Sequence, residues 1–402
     1  MAIRQSLLPF LVFTSCSALI AAEPIPRVFQ SDGEVLVQAR TLLRQGDPVI
    51  SADVEALKAE ADQVLGDGPY SVTDKQHPSP SDDPHDYVSA ALYYWPNPET
   101  PDGLPYIRKD GEPSPESKQY DFEPLRAMSG NAYTLALASF FTGEEKYAAR
   151  SALLLRVWFL DDKTKMNPNL NHAQFIKGVN TGRAIGIIDT MCLPDVIDAV
   201  GLLQGSSAWT SADQQSLEQW FRAYISWLRE EGKERQPPAT GNNLGSWYDA
   251  QVVSYSLFVG DEKVAKQFLE EAKLKRIATQ INPDGRQRHE LVRTKSFTYS
   301  ASNLRALTLL ADLAARVGVD LWHYRTADGR GLPVALDYLV PYAIGEKPWP
   351  HPQLGGVDGG ALFISLSRAA VSFKEGNYQH AAEKLRGAPS VRARDRLAFL
   401  EN

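Results

Sequence analysis

The feature that most constrains this chain is the spacing of its apolar residues. From about residue 124 onward they recur at three and four, as in NAYTLALASFF, YAARSALLLRVWFL, LEQWFRAYISWL, AKQFLEEAKLKRIA and LRALTLLADLAARV. That period puts one stripe of each segment on one face of a helix, and the alternation of a half-buried strand is scarce. A weak repeat points the same way. FFTGEEKYAA, LFVGDEKVAK and FKEGNYQHAA each set a glycine, Gly143, Gly260 or Gly376, between two helical stretches. Their wide separation leaves room for several helical hairpins between copies. Two all-α architectures fit: an open superhelix, or an (α/α) toroid, an incomplete barrel of antiparallel helical hairpins. Residues 74 to 124 favour the toroid, because this long Pro-, Asp-, Gly- and Tyr-rich N-terminal loop region is out of place in a tightly connected open array and a loop of that length is usually functional.

At 402 residues and 43% hydrophobic, the chain is long enough to bury a substantial core. Residues 6 to 20, SLLPFLVFTSCSALI, form an apolar run behind Arg4 and end at Ala21-Ala22, which reads as a signal peptide over 1–22 followed by one domain over 23–402. The run is too short for a convincing membrane span. The expected location is secreted or periplasmic, with a lipid anchor at Cys16 the minor alternative because Phe13 suits a lipobox poorly. Cleavage near Ala22 would remove Arg4, taking the formal charge from −7 to −8, and Cys16, leaving Cys192 unpaired. Nucleic acid is not expected as a partner, since that needs clustered cations. The seven histidines show neither HxH nor HExxH spacing, so no catalytic metal is expected, and no cofactor.

Three segments carry candidate chemistry. In GNNLGSWYDAQ, Asn242 and Asn243 stand at the start of a helix with Trp247 and Tyr248, two candidate substrate contacts, just inside it. Such a pair caps a first turn, and it is also a cluster of neutral amide donors fit to hold a carboxylate. In the long loop, Tyr94, Trp95 and Tyr106 stand among other aromatics beside Arg108 and Lys109, a pattern suited to stacking on sugar rings and pairing with their carboxylates. In INPDGRQRHELVRTKSFTYSASNLRAL a turn at Asn282–Gly285 leads to Arg286, Arg288, Arg293 and Lys295 beside Tyr299, with a helix resuming near Ser300.

Cations beside a tyrosine suit β-elimination on a 1,4-linked polyuronate. The C5 proton next to a carboxylate must be removed and the C4 oxygen expelled, so donors must stabilise charge as it develops. A tyrosine serves as base only if nearby positive charge pulls its pKa below about 10, and Arg293 is the candidate for that. In mannuronate and glucuronate the proton and the leaving oxygen share one side of the ring, so one tyrosine suffices as base and acid.

YYWPNP with DGLPYIRKDG, MNPNLNHAQ with GRAIGIIDT, GNNLGSWYDAQ, and DGRQRHELVRTKSFTYSASNL followed by GVDLW resemble, in that order, the alginate lyase superfamily of helical toroids, and within it polysaccharide lyase family 38, whose members act on alginate or glucuronan. The resemblance spans roughly residues 80 to 355. It implies a toroid with a groove or tunnel across one end, Tyr299 as base and acid, Arg293 as its activating partner, and Asn243 as a donor to the substrate carboxylate. Leu244 is a departure, since the family motif carries histidine there. His172 and His289 are the candidates to replace that imidazole, and Asn180 and Arg183 are further candidate substrate contacts. The expected partner is therefore an acidic polysaccharide, cleaved without metal by syn elimination. The alternatives are a non-catalytic polysaccharide-binding protein disabled by Leu244, or a glycoside hydrolase drawing two carboxylates from Asp86, Asp249 and Glu290. The exact polymer, the endo or exo mode and the oligomeric state are not legible.

Overall fold

A computed structural model describes residues 23–230, 241–374 and 376–399. The expected signal peptide and Cys16 lie outside the described residues. Among them no helix is long and apolar enough to cross a membrane.

The first two helices, α1 (Gly33–Arg44) and α2 (Pro48–Val64), precede the region in which the helical period is obvious. Asp47 caps α2 by accepting from Val49 and Ile50 N–H, and Pro48 occupies the first position, where a missing N–H costs nothing. Ile50, Val54, Leu57 and Ala61 then bury one stripe. After the long loop come α3 (Phe122–Thr142), α4 (Glu145–Phe159), α5 (Leu193–Leu202), α6 (Ser211–Arg229), α7 (Asn243–Phe258) and α8 (Glu262–Ala272). A π-turn at Lys273–Ile277 leads into the short α9 (Ala278–Gln280) and α10 (Arg288–Leu291). The chain continues with α11 (Ser296–Arg316), α12 (Leu332–Ala343), α13 (Phe363–Phe373), α14 (Gly376–Leu385) and α15 (Ala393–Ala398).

These helices form the (α/α) toroid. α3, α5, α7, α11 and α13 pack successively as an inner ring, and α2, α4, α6, α8, α12 and α14 lie outside it. The inner position explains the sequence of α7, in which every residue is buried except Leu244 and Tyr248. A helix enclosed all round needs small and apolar side chains on every face, not one stripe. The repeated glycines end inner helices: Gly143 and Gly260 adopt left-handed φ of 73° and 81°. In the third copy Lys374, with φ 51°, takes that role and Gly376 starts α14. Between α13 and α3 the ring is bridged by the N-terminal segment. There Arg368 donates to Gln30 O at 2.9 Å, and the Ser31 and Tyr133 hydroxyls are 2.8 Å apart.

The long loop holds strands that the sequence pattern did not announce. β1 (Val88–Ala90) pairs in parallel with β4 (His172–Phe175), and β2 (Tyr94–Trp95) pairs antiparallel with β3 (Ile107–Arg108), Tyr94 facing Arg108. The first pair is pinned by Asp189, which accepts from Tyr87, Ser89 and Gln174 side chains at 3.0, 2.5 and 2.7 Å.

The turn before α10 is set by close approach. Gly285 has φ 81°, and a Cβ there would lie 2.0 Å from Val334 O. Gly285→Ala is therefore expected to cost about 2 kcal/mol or more, read as a lower denaturant midpoint. An unchanged midpoint would show that the turn does not fix the packing of α12 on this segment.

Candidate active site

The site is assembled from the start of α7, the segment 287–299 and the β2–β3 hairpin. At α7 the Asn242 side chain accepts from Leu244 N–H at 3.2 Å, so the helix-capping reading of the first asparagine holds. Asn243, 5% exposed, donates its backbone N–H to Glu290 Oε1 at 2.6 Å and its side-chain Nδ2–H to Glu290 Oε2 at 2.8 Å. The Glu290 carboxylate thus satisfies an unpaired first-turn donor and lies at the positive end of the helix. Burial pushes its pKa up, and the two bonds from Asn243 hold it down in part.

Glu290 leads directly to Arg293, whose backbone N–H donates to Glu290 O at 3.1 Å. The Arg293 guanidinium carbon lies 4.1 Å from the centre of the Tyr299 ring, and the Tyr299 hydroxyl donates to the Tyr93 hydroxyl at 2.8 Å. From the hairpin, Asp110 accepts from Arg293 Nη2 at 2.8 Å and Nε at 3.2 Å, and from Arg108 Nη2 at 2.6 Å. Tyr299 and Arg293, brought together as the sequence suggested, therefore meet residues that flank the β2–β3 hairpin, Tyr93 before it and Asp110 after it.

The electrostatics correct one expectation. The Tyr299 phenol is pushed well above its ordinary value, not below it. Burial is the largest cause, followed by the hydrogen bond to and charge of Tyr93, while Arg293 acts in the opposite direction and Asp110 adds to the rise. For Asp110, burial pushes the carboxyl up, but the Arg293 and Thr294 hydrogen bonds and the Arg293 charge outweigh it and hold the group well below the carboxylate range. Arg293 is thus paired with an anion in this state and pulls weakly on the phenol.

The remaining candidates divide. Arg183 lies over the Tyr94 ring at 5.2 Å and donates from Nε to Gln174 O at 2.6 Å. Gln174 itself has φ 54°, a strained backbone that aims this carbonyl. Burial, first, and Arg108 lower the Arg183 pKa, so Arg108 and Arg183 feel one another across the hairpin. Trp95 carries Lys109 over its ring at 4.9 Å and donates to Glu112 O at 2.9 Å. The Tyr106 hydroxyl is held by Glu116 at 2.5 Å. Asn180 accepts from Ile176 N–H at 3.1 Å within a turn. His172 lies in β4 with Nδ1 3.2 Å from Thr181 O and Nε2 3.8 Å from Asp86. His289 is exposed, accepts from Arg288 Nε at 3.1 Å, and its Nε2 would be 3.3 Å from a Cβ at Gly241.

Two expected sugar contacts are corrected. Trp247, 3% exposed, donates to Ser302 Oγ at 3.1 Å and packs α7 on α11. Tyr248 faces the other way, donating to Leu228 O at 3.1 Å and packing on Phe268. Neither ring offers a face to a sugar, because an inner helix spends its aromatics on both neighbouring layers. The three carboxylates considered for hydrolysis are likewise engaged. Asp249 accepts from Arg276 at 2.8 Å, Asp86 from Ser81 and two asparagines, and Glu290 from Asn243. Among the described residues no group of three or more His, Cys, Asp or Glu side chains is placed to hold a metal ion.

Asp110, Tyr93, Thr294 and the role of Glu290 were missed in the sequence. IRKDG and HELVR place acids beside cations, which is a signal of pairing, but the partners stand 183 and 47 residues away.

Residues 71–349 match the profile of a family described as Alginate lyase. An alginate lyase from Bacteroides ovatus is similar in structure at a TM-score of 0.89 and 34% identity, with 94% of this chain and 100% of that chain covered. Alginate lyase A1-III from Sphingomonas species A1 is similar at a TM-score of 0.58 and 17% identity, covering 93% and 95%. A histidine-to-alanine variant of A1-III complexed with tetrasaccharide matches at 0.60 and 17%, covering 94% and 98%. A search of curated proteins finds no match.

Proposed function

The chain belongs to the alginate lyase family and is a polysaccharide lyase, and from that premise we propose that it cleaves β-linked mannuronate-type alginate or glucuronan by syn β-elimination. The observation that carries the reading is the Tyr299 phenol set against Arg293 at 4.1 Å, with a second hydroxyl, Tyr93, at 2.8 Å. Tyr299, drawn toward the phenolate by Arg293 against the burial and Tyr93 that oppose it, takes the C5 proton and then returns it to the C4 oxygen as the glycosidic bond breaks and the C4–C5 double bond forms. Both transfers need only one face of the sugar. The charge that develops at the carboxylate is met by Arg293 and by Asn243, whose amide spends one N–H on Glu290 and leaves the second for the substrate. The protein's own donors supply the stabilisation in this scheme, without a metal or cofactor.

Arg183 on Tyr94 and Arg108 extend a cationic path for further uronates, with Trp95 beside Lys109 as a stacking surface. We also infer export, by a signal peptide over residues 1–22, to a secreted or periplasmic location where a polymeric substrate is accessible.

Leu244 sharpens the substrate class. Guluronate presents its C5 proton anti to the leaving oxygen and needs a base on the opposite face, which leucine does not provide. Wild-type protein is expected to cleave polymannuronate and to leave polyguluronate intact. Leu244→His is expected to raise kcat/KM on the preferred polymer by about tenfold, or ~1.4 kcal/mol. Equal rates on the two polymers, or unchanged kinetics in Leu244→His, would overturn this assignment and point to His172 or His289 as the imidazole.

A further inference from the structure

We propose that Asp110 is a positioning and specificity residue: its carboxylate holds Arg293 where a uronate carboxylate would, so that only a sugar bringing its own carboxylate releases Arg293 to the reaction. The inference rests on the lyase reading above.

The geometry is that of a substrate surrogate. Asp110 grips the guanidinium through both Nε and Nη2, the two-pronged arrangement by which arginine recognises a carboxylate. It does so two residues past the end of β3, in a turn docked against the segment that carries the tyrosine assigned to the proton. The strongest charged and titratable influences on Arg293 are Asp110, Glu290 and Tyr299, and those on Tyr299 are Tyr93, Arg293 and Asp110, with Arg108 sharing the Asp110 carboxylate at 2.6 Å. With Asp110 in place, the pull of Arg293 on the phenol is opposed in part. An incoming uronate that displaces Asp110 moves the anion from the hairpin to the sugar, where proton loss at C5 must be stabilised. A neutral sugar has nothing to exchange for the ion pair and leaves Arg293 occupied. This makes the carboxylate a requirement for engagement as well as for chemistry.

Part of the docking of this turn does not depend on the Asp110 charge. Thr294 Oγ1 donates to the Asp110 backbone carbonyl at 3.0 Å. Gly111, at φ 82°, comes so near that an added Cβ would stand 2.5 Å from that same hydroxyl oxygen. Asp110→Asn keeps the side-chain shape and an acceptor for Thr294 while removing the anion.

The test is steady-state cleavage of polymannuronate by the full-length protein across pH, followed by absorbance of the new double bond. In Asp110→Asn, KM is expected to fall roughly three- to tenfold, the range set by one charge-assisted pair. The sign of the pH effect follows from the charges. Removing an anion near Tyr299 favours the phenolate, so the rising limb of kcat/KM moves to lower pH. Asp110→Ser removes the charge by a different side chain and is expected to move both quantities in the same direction. Asp110→Glu retains the charge and is expected to retain the wild-type limb. A KM that is unchanged or higher in both neutral variants, with an unmoved limb, would reduce Asp110 to a structural pin. Wild-type protein that forms no unsaturated product would instead sink the lyase reading, so the two failures are distinguishable.

Discussion

Tyr299→Phe is expected to abolish turnover of polymannuronate while leaving polymer binding within a few-fold. The substitution removes one hydroxyl from the start of α11 and leaves the ring under the Arg293 guanidinium at 4.1 Å, so the local packing is retained. It removes the only group in the proposed scheme that touches both the C5 proton and the C4 oxygen. General acid and base catalysis contribute about 10²–10⁴ each way, so loss of both roles at once should leave the variant at least about four orders of magnitude slower. Binding by calorimetry or by gel retardation checks the second half of the expectation. A variant that retains a tenth of wild-type activity would assign the proton to another group, with Tyr93 the nearest hydroxyl.

Arg293→Ala is expected to lower kcat by about two to three orders of magnitude, the usual cost of removing one donor aimed at developing charge. The same variant should shift the rising limb of the pH–rate profile upward, because the one group that favours the phenolate is gone while burial and Tyr93 still oppose it. It also removes one of the two arginines paired with Asp110, leaving the half-buried carboxylate just past β3 to Arg108 alone. A modest loss of thermal stability should accompany the kinetic effect. An effect confined to KM, with kcat intact, would make Arg293 a binding residue and leave the charge at C5 to Asn243 alone.

The fold was legible because it is written in short-range periodicity. α3, α4, α6, α8 and α11 each carry an apolar pattern that only a helix satisfies, and the asparagine pair marked the start of α7. α1 and α2 carry the same kind of pattern, with Ile50, Val54, Leu57 and Ala61 at helical spacing, but a short apolar stripe ahead of the region where the pattern recurs stands out less. The strands of the long loop were not legible. β2 and β3 are two residues each, too short for alternation to show. The candidate site was legible in the residue types it brings together and not in their partners. Tyr299 and Arg293 are six positions apart on one turn and the start of a helix, so their encounter is local. The Asp110–Arg293 and Tyr93–Tyr299 contacts depend on where a hairpin lands across the ring, which no local pattern encodes. The sign of the Tyr299 shift failed for the same reason, since it is governed by burial and by Tyr93, both delivered by distant chain. Trp247 and Tyr248 were misread because an inner helix and a cleft wall have the same aromatic-rich composition.

The central claim, elimination at a uronate, is tested most directly by digesting polymannuronate with wild-type protein in water enriched in the heavy oxygen isotope and weighing the products. The expected fragments carry a double bond at the new non-reducing end, are lighter by one water than hydrolytic fragments, and contain no heavy oxygen at the cleaved bond. Fragments that take up heavy oxygen and lack the double bond would contradict elimination and return the site to a pair of carboxylates.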